Sequence, residues 1–493
     1  MQKDEWVDNF ETYATKIIND FHLPGVAVGL ASHGQVYYEK SFGYRDVEQQ
    51  LQVTSDTVFA IGSITKTFTC AAILQLQERG KIRVHDPISN YLPEFRHSKD
   101  SFANRVTIHH LMTHTSGIPE LQTFPMVLYD SLTEDDFKYD PTISGEKKSI
   151  QPLRTTDEYL QYLSQLDFQL LSNPGERWHY SNDGYGLLGI IIERVSGQTY
   201  EKYLHENILE PSRMKHTSFF LDQYRDENVT KLYVLREEEG NSRVVASPNW
   251  WDAPVMRSAG FLKSTISDML KFAEIFRTDG IAVGGERILA TDSIKQMAKV
   301  HTWKNPIIRQ GYGYGLCVFP NYHGTTLLEH AGGIKGGGAQ MFILPEKGLS
   351  GIILTNMLST APTSLMNGVL NGLDNRPVEA SHVTYENAPA EEELMSVYIG
   401  RYQSEHMNLS VSIKLKDYQL QIQVFDSLIQ LKPIQKDAFL LEGTLDCIQF
   451  KRNKENQIIA LDYKGIILKH VQGGAASEGK QVLPSPLRSK NCC

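Results

Sequence analysis

Cysteine is scarce in this chain. Five of 493 residues (Cys70, Cys317, Cys447, Cys492 and Cys493) are too few and too scattered to form a disulfide framework. The fold must therefore rest on core burial, and a reducing compartment is the expected setting. Long apolar runs are missing too. Stretches such as 187–192 and 351–354 fall far short of the roughly 20 residues a spanning helix needs, so no membrane span is expected. There is no basic excess: 49 Lys and Arg face 58 Asp and Glu, a formal charge of −9. A nucleic-acid partner, which needs a basic face, is excluded on that ground. The opening Met1-Gln2-Lys3-Asp4-Glu5-Trp6 lacks the basic-then-apolar pattern of a secretory leader. The expected location is cytoplasmic, although a processed secreted form would leave the same sequence.

What the chain does have is an ordinary globular composition, 41% apolar and 22% charged, over a length that calls for two domains. Trp6, Phe10, Tyr13, Ile17 and Phe21 recur at helical spacing, predicting a helix over 4–21. Strands are predicted over 25–32 and 35–42, turning at His33-Gly34, and a helix over 63–79 ends at Gly80. Further helices are predicted at 184–196, 199–208 and 266–277. Strands at 313–319, 325–330, 339–344 and 350–355 should be successive antiparallel neighbours. The segment 123–156, polar and broken by Pro125, Pro141 and Gly145, reads as a surface lid or a disordered insertion. The fold class is α+β. A large domain covers 1–375, a linker 376–393, a small all-β domain of alternating strands 394–470, and a loose Gly-, Ser- and Pro-rich tail 471–493.

Three short segments carry the chemistry. Ser63-Ile64-Thr65-Lys66 starts a helix, and residues three apart share a helix face, so the Lys66 amine can reach the Ser63 hydroxyl. A serine needs such a base, and a lysine becomes one when burial and neighbouring positive charge lower its pKa. Tyr180-Ser181-Asn182 offers a phenol to move a proton and an amide to bind a substrate carbonyl and steady the lysine. Glu329-His330-Ala331-Gly332-Gly333 lies in a strand pattern, where Gly332 would let substrate approach the backbone and the Gly333 amide could join that of Ser63 in an oxyanion hole. The following Ile334-Lys335-Gly336-Gly337-Gly338 lacks the order of a phosphate-binding loop. His109, His110 and His114 contain H-x-x-x-H but not the glutamate of H-E-x-x-H, so no metal site is assigned.

Taken together, S-x-x-K, Y-x-N and the short strand motif resemble the serine β-lactamase and penicillin-binding-protein superfamily, nearest to its class C branch. Other stretches resemble the same branch: Asp86 to Pro93, Ile108 to Gly117, Gly189 to Gly197, Ala259 to Thr265 and Leu344 to Gly348, together covering roughly 20–360. The resemblance implies an antiparallel sheet flanked by helices and an all-helical lobe built from about 80–255, with the site between them and His330 on the edge strand. It implies Ser63 as nucleophile, Lys66 as its basic partner, Tyr180 as general acid or base, Asn182 on the substrate amide, and Gly333 as second oxyanion amide. His330 stands where the family usually has lysine. A neutral or partly charged imidazole would hold an antibiotic carboxylate less well, and relatives with histidine there are often D-amino-acid peptidases, amidases or esterases.

The implied activity is a serine hydrolase acting on a small-molecule or short-peptide substrate, with no cofactor and no metal. The alternatives are a β-lactamase or DD-carboxypeptidase, and a sensor that acylates without turning over. The small β-domain resembles lipocalin-like domains appended to some relatives, where it would cap the site or mediate homo-oligomer assembly. Cys492-Cys493 resembles prenylated tails but lacks any other membrane feature, so an unmodified terminus is expected.

Overall fold

A computed structural model of the chain describes residues 3–95, 102–140, 142–143, 146–224, 228–238, 241–380, 382, 395–404, 410–416, 419–424, 427–442, 446–463 and 465–471. Strand β1 (Gly25–Ser32) is buried along all but its last residue, as a strand covered on both faces should be. It pairs with β2 (Gln35–Asp46), which carries β3 (Leu51–Gln52) at its far edge. Two short pairs lie outside this sheet: β4 (Phe59–Ala60) with β7 (Lys263–Ser264), and β5 (Tyr233–Glu238) with β6 (Asn241–Ala246). The sheet continues through β8 (Thr302–Asn305), β9 (Gln310–Tyr312), β10 (Cys317–Tyr322), β11 (Thr325–Ile334), β12 (Gly337–Leu344) and β13 (Leu349–Thr355). Among the described residues its order is β3-β2-β1-β13-β12-β11-β10-β9-β8, with antiparallel neighbours throughout.

The four strands expected after 313 are therefore present as successive neighbours, with two differences. The first begins only at Cys317, because Gly315 turns at φ +67 and packs its backbone on the nucleophile helix, where Thr67 Oγ1 donates to its carbonyl at 2.7 Å. And β11, which carries His330, is not an edge strand: β10, β9 and β8 extend the sheet beyond it. Nothing in the short, weakly alternating 302–312 marks those two outer strands.

Helices cover both faces. The N-terminal helix Lys3–Asp20 and the helix Ala361–Leu373 share one core with the sheet, built on Trp6, Phe10, Val369 and Ile353. The helix Ile266–Arg277 covers the other face, where Gly29 leaves room for Ile266. Beneath it runs the helix Thr65–Glu78, buried from Thr65 to Leu76 and stacked through Phe68 on Phe272 at 3.7 Å. A helix buried on every side has no solvent face to offer and belongs in the middle of a domain. Among the described residues, the regular elements of the lobe over 80–255 are helices apart from the β5–β6 hairpin.

The segment 123–156 is a correction. Its described residues are neither a loose lid nor an insertion but a chain of short helices, Phe124–Val127, Tyr129–Ser131, Glu134–Tyr139 and Lys147–Ser149, with Val127, Leu128, Leu132 and Leu153 in the core. One of these helices, Glu134–Tyr139, starts in a capping box between Thr133 and Asp136.

The small domain is a closed eight-stranded barrel between Gly400 and His470. Its interior is filled by Tyr398, Tyr402, Phe439, Phe450 and aliphatic neighbours. Ile434, Ala438 and Leu440 join the core around Trp6 and Phe10, and Asp446 pairs with Lys304 of β8 at 3.1 Å, so the barrel is docked on the sheet. Of the expected linker, 376–380 and 382 are described and pack on the large domain through Arg376 and His382. The rest of that linker, the tail from 472 and Cys492-Cys493 lie outside the described residues.

Candidate active site

Ser63 sits in a tight turn, Gly62–Ile64, between β4 and the buried helix. The turn is fixed by Ile61 N donating to Leu262 O at 3.1 Å and Thr65 Oγ1 donating to Gly62 O at 2.7 Å. Gly62 needs its lack of a side chain twice over: its φ is +50, and a Cβ there would lie 2.5 Å from Gly333 N. The nucleophile turn and β11 thus touch backbone to backbone. Ser63 itself remains partly exposed among buried neighbours.

Lys66 is fully buried, with Nζ 3.2 Å from Ser63 Oγ, 2.8 Å from Asn182 Oδ1 and 2.6 Å from Ala259 O. The rings of Tyr180 and Tyr185 lie 4.7 and 5.3 Å from the amine. Burial pushes its pKa well below the usual lysine range. The expected help from neighbouring positive charge is not the cause; desolvation dominates. A neutral amine has two N–H bonds and one lone pair. The two shortest contacts go to carbonyl oxygens, which can only accept, and this leaves the lone pair for the Ser63 hydroxyl.

Tyr180 precedes the helix Asn182–Ser196, whose N-cap Ser181 accepts from Gly184 N at 3.1 Å. Its hydroxyl is 2.7 Å from Ser63 Oγ. Burial raises the phenol's pKa far above its ordinary value, the Ser63 hydrogen bond opposing, so it is a neutral donor. Two distant stretches thus meet: the Lys66 amine and the Tyr180 phenol reach the Ser63 hydroxyl, and Asn182 holds the amine.

His330 is buried on β11. Its Nδ1 contacts Ala331 O at 2.7 Å, so that nitrogen carries the proton and Nε2 accepts from the Tyr312 hydroxyl at 3.2 Å. Burial pushes its pKa down to about 3. The imidazole is neutral, not partly charged. Gly333 is exposed beside the nucleophile turn. Gly332 is buried, and a Cβ there would stand 1.9 Å from Ile61 O, so its lack of a side chain lets β11 lie close against the nucleophile segment.

The sequence reading missed several supporting groups. His114 accepts from Ser181 N at 3.1 Å and packs its ring 4.3 Å from that of Tyr180, while its carbonyl accepts from His179 N at 2.7 Å. It holds the tyrosine segment. Its neighbours in the histidine cluster point elsewhere: His109 Nδ1 meets the Tyr314 hydroxyl at 2.8 Å, and His110 Nδ1 accepts from Thr107 N at 3.1 Å to cap a helix. Asp183 anchors the next residue of the helix, accepting from Thr123 at 2.5 Å and Tyr159 at 2.7 Å. The Ala259 carbonyl and Tyr312 had no readable signal, since neither backbone oxygens nor core tyrosines announce a partner. Among the described residues, no helix is long and apolar enough to cross a membrane.

The family model described as Beta-lactamase matches residues 9–370. Protein flp of Staphylococcus aureus (strain NCTC 8325 / PS 47) is 32% identical over 249 residues, covering 50% of this chain and 44% of that protein, so this chain spans less than half of that relative. Penicillin-binding protein 4* of Bacillus subtilis (strain 168) is 22% identical over 467 residues, 90% of this chain and 92% of the relative. Among solved structures, the octameric penicillin-binding protein homologue from Pyrococcus abyssi superposes with a TM-score of 0.67 at 28% identity, over 94% of this chain and 99% of that one. With the match running through most of the large domain and the S-x-x-K serine and Y-x-N tyrosine meeting where the fold brings them together, the chain belongs to the Beta-lactamase family.

Proposed function

We propose that this protein is a serine hydrolase that forms an acyl-enzyme on Ser63 and cleaves amide or ester bonds of small substrates, D-amino-acid peptides or amides and short-chain esters foremost. The observation that carries the reading is that the buried Lys66 amine, held by Asn182 and Ala259, and the Tyr180 phenol both reach the Ser63 hydroxyl, at 3.2 and 2.7 Å. Lys66 takes the Ser63 proton as the oxygen attacks the carbonyl carbon. The Ser63 and Gly333 amides hold the developing oxyanion. The C–N or C–O bond to the leaving group then breaks, the neutral Tyr180 phenol delivers the proton that the leaving group needs, and the phenolate so formed is reprotonated by the Lys66 ammonium, which holds the proton taken from Ser63. Water reverses the sequence to release the acid. No step calls for a metal or organic cofactor.

The relatives named penicillin-binding proteins motivate a second reading, turnover of penicillins or peptidoglycan peptides. The neutral His330 argues against it as the main activity, because it offers no charge to a substrate carboxylate. The octameric relative motivates a homo-oligomer here, which light scattering would test.

The deciding experiment presents D- and L-amino-acid amides, p-nitrophenyl acetate and nitrocefin to the protein and to Ser63→Ala. Steady turnover of amides or esters, lost in Ser63→Ala, is the expected result. A single stoichiometric burst would instead make the protein an acylating sensor, and equal rates in both proteins would remove Ser63 from the chemistry.

A further inference from the structure

The Gly-rich turn after β11 remains unexplained by this chemistry, and so does the segment around Asp136. The two belong together. Lys335, at the tip of the β11–β12 hairpin, is 7% exposed and reaches out of the sheet domain into the helical lobe. Its amine pairs with the Asp136 carboxylate and donates to Asn249 Oδ1 at 2.6 Å, 5.7 Å from the Trp251 ring. Asp136 is 1% exposed and is satisfied on every side. Thr133 N and Oγ1 donate to it at 2.7 and 2.9 Å, Trp251 Nε1 at 3.0 Å and Asn249 Nδ2 at 3.3 Å.

A buried ion pair of this kind adds little net stability over an apolar pair of the same size. What it does fix is position. The other side of the same hairpin is seated on the nucleophile strand. Gly62 leaves no room above Gly333 N, and a Cβ at Gly337 would lie 3.0 Å from that of Ala60. Gly336 turns at φ +62 with Leu232 against it. The backbone of 333–337 is therefore wedged between the Ser63 turn and the helical lobe, and the Lys335 side chain is the peg on the lobe side.

We propose that the Lys335–Asp136 pair is a clamp between the two lobes that positions the Gly333 amide over Ser63, making both positioning residues for the oxyanion hole. The proposal rests on the acyl-enzyme reading above. Its signature is selective. The oxyanion forms only as the reaction proceeds, so a slack hairpin lowers kcat and leaves KM nearly alone. A misplacement of about 1 Å in such a site can cost roughly a hundredfold.

The test replaces the pair by an apolar one, Lys335→Met with Asp136→Leu, so that no unpaired buried charge is left. Asp136→Asn, which keeps the side-chain shape, serves as a second variant should the first fail to fold. Thermal unfolding confirms folding, and p-nitrophenyl ester kinetics are read beside affinity for phenylboronic acid, which forms a tetrahedral adduct on an active serine. For a folded variant the expected result is a kcat lower by about tenfold to a hundredfold, KM within about threefold, and boronate affinity falling in parallel. A folded variant with parental kcat and boronate affinity overturns the clamp. A loss confined to KM overturns it as well. The underlying reading is separable: if the parent protein neither turns over the ester nor is labelled at Ser63 by a fluorophosphonate, the acyl-enzyme itself falls, and the clamp with it.

Discussion

Asn182 Oδ1 accepts a hydrogen bond from Lys66 Nζ at 2.8 Å, joining the first turn of one buried helix to the first turn of another. This contact makes the amide a regulator of the base. Asn182→Asp would set a carboxylate beside the amine and favour its charged form, raising the Lys66 pKa. An opposite charge at this range typically moves a pKa by about 1–3 units. Because Lys66 acts as a base only when neutral, the rising limb of kcat/KM against pH should move to higher pH by a comparable amount. An unchanged pH profile in an active Asn182→Asp protein would show that Lys66 is not the titrating base.

Tyr180 should behave as a donor throughout the accessible pH range. Its phenol is held neutral by burial, so the parent enzyme should show no gain in rate attributable to a phenolate near neutral pH. Tyr180→Phe removes the proton path to the leaving group and should lower kcat by about two to four orders of magnitude, the usual range for a general acid–base group. Leaving groups of low pKa need less protonation, so p-nitrophenyl esters should suffer least and simple amides most. Equal losses for both would argue that the tyrosine only packs.

Much of this site was legible because its chemistry resides in short motifs that local rules can read. Ser63 and Lys66 share a helix face, and Tyr180 and Asn182 flank a capping serine. The helix over 266–277 and the alternation of the barrel strands also follow from periodicity. Less was legible where the reason for a residue lies in another part of the chain. Gly332 is glycine because Ile61 O is there. The 123–156 region looked loose because polar residues in it serve a capping box at Thr133 and a buried ion pair of Asp136 with Lys335, 199 residues away in the chain. Strands β8 and β9 are four and three residues long and take their order from their neighbours. No window of sequence contains that information.

Acid should destabilise the fold through its buried imidazoles. His330 and His382 share one arrangement. In each, one ring nitrogen donates to a backbone carbonyl (Ala331 O, Asn367 O) and the other accepts from a tyrosine hydroxyl (Tyr312, Tyr322). Burial pushes both pKa values down to about 3 in the folded state, below the value near 6.5 of an unfolded histidine. The unfolded chain therefore takes up these protons first. Their contribution is complete above about pH 6.5 and drains away as pH falls towards 3, at no more than about 1.4 kcal/mol per pH unit for each ring. Urea midpoints between pH 7.5 and 4 should fall accordingly, and His382→Asn should flatten the slope by close to one proton. A slope unaffected by that substitution would place the acid sensitivity elsewhere.

The barrel should be felt at the active site through a single glycine. Gly465 turns at φ +81, and a Cβ on it would stand 2.2 Å from the carbonyl oxygen of Trp178, two residues before Tyr180. Any side chain there must push either the barrel turn or the segment that carries the phenol. Strain from positive φ alone needs a control, and Gly324 supplies it: its φ is +83, yet a Cβ there would meet nothing within 4 Å. Both Gly465→Ala and Gly324→Ala pay the backbone penalty, about 1 kcal/mol in each. Only Gly465→Ala should also lower kcat, by about tenfold or more, because Tyr180 holds its place against Ser63 with one hydrogen bond and has little slack. Loss of turnover in folded Gly465→Ala, with turnover kept in Gly324→Ala, is the expected outcome, folding of both being checked by thermal melting. Equal turnover in the two variants would mean that the barrel touches the tyrosine segment without constraining it.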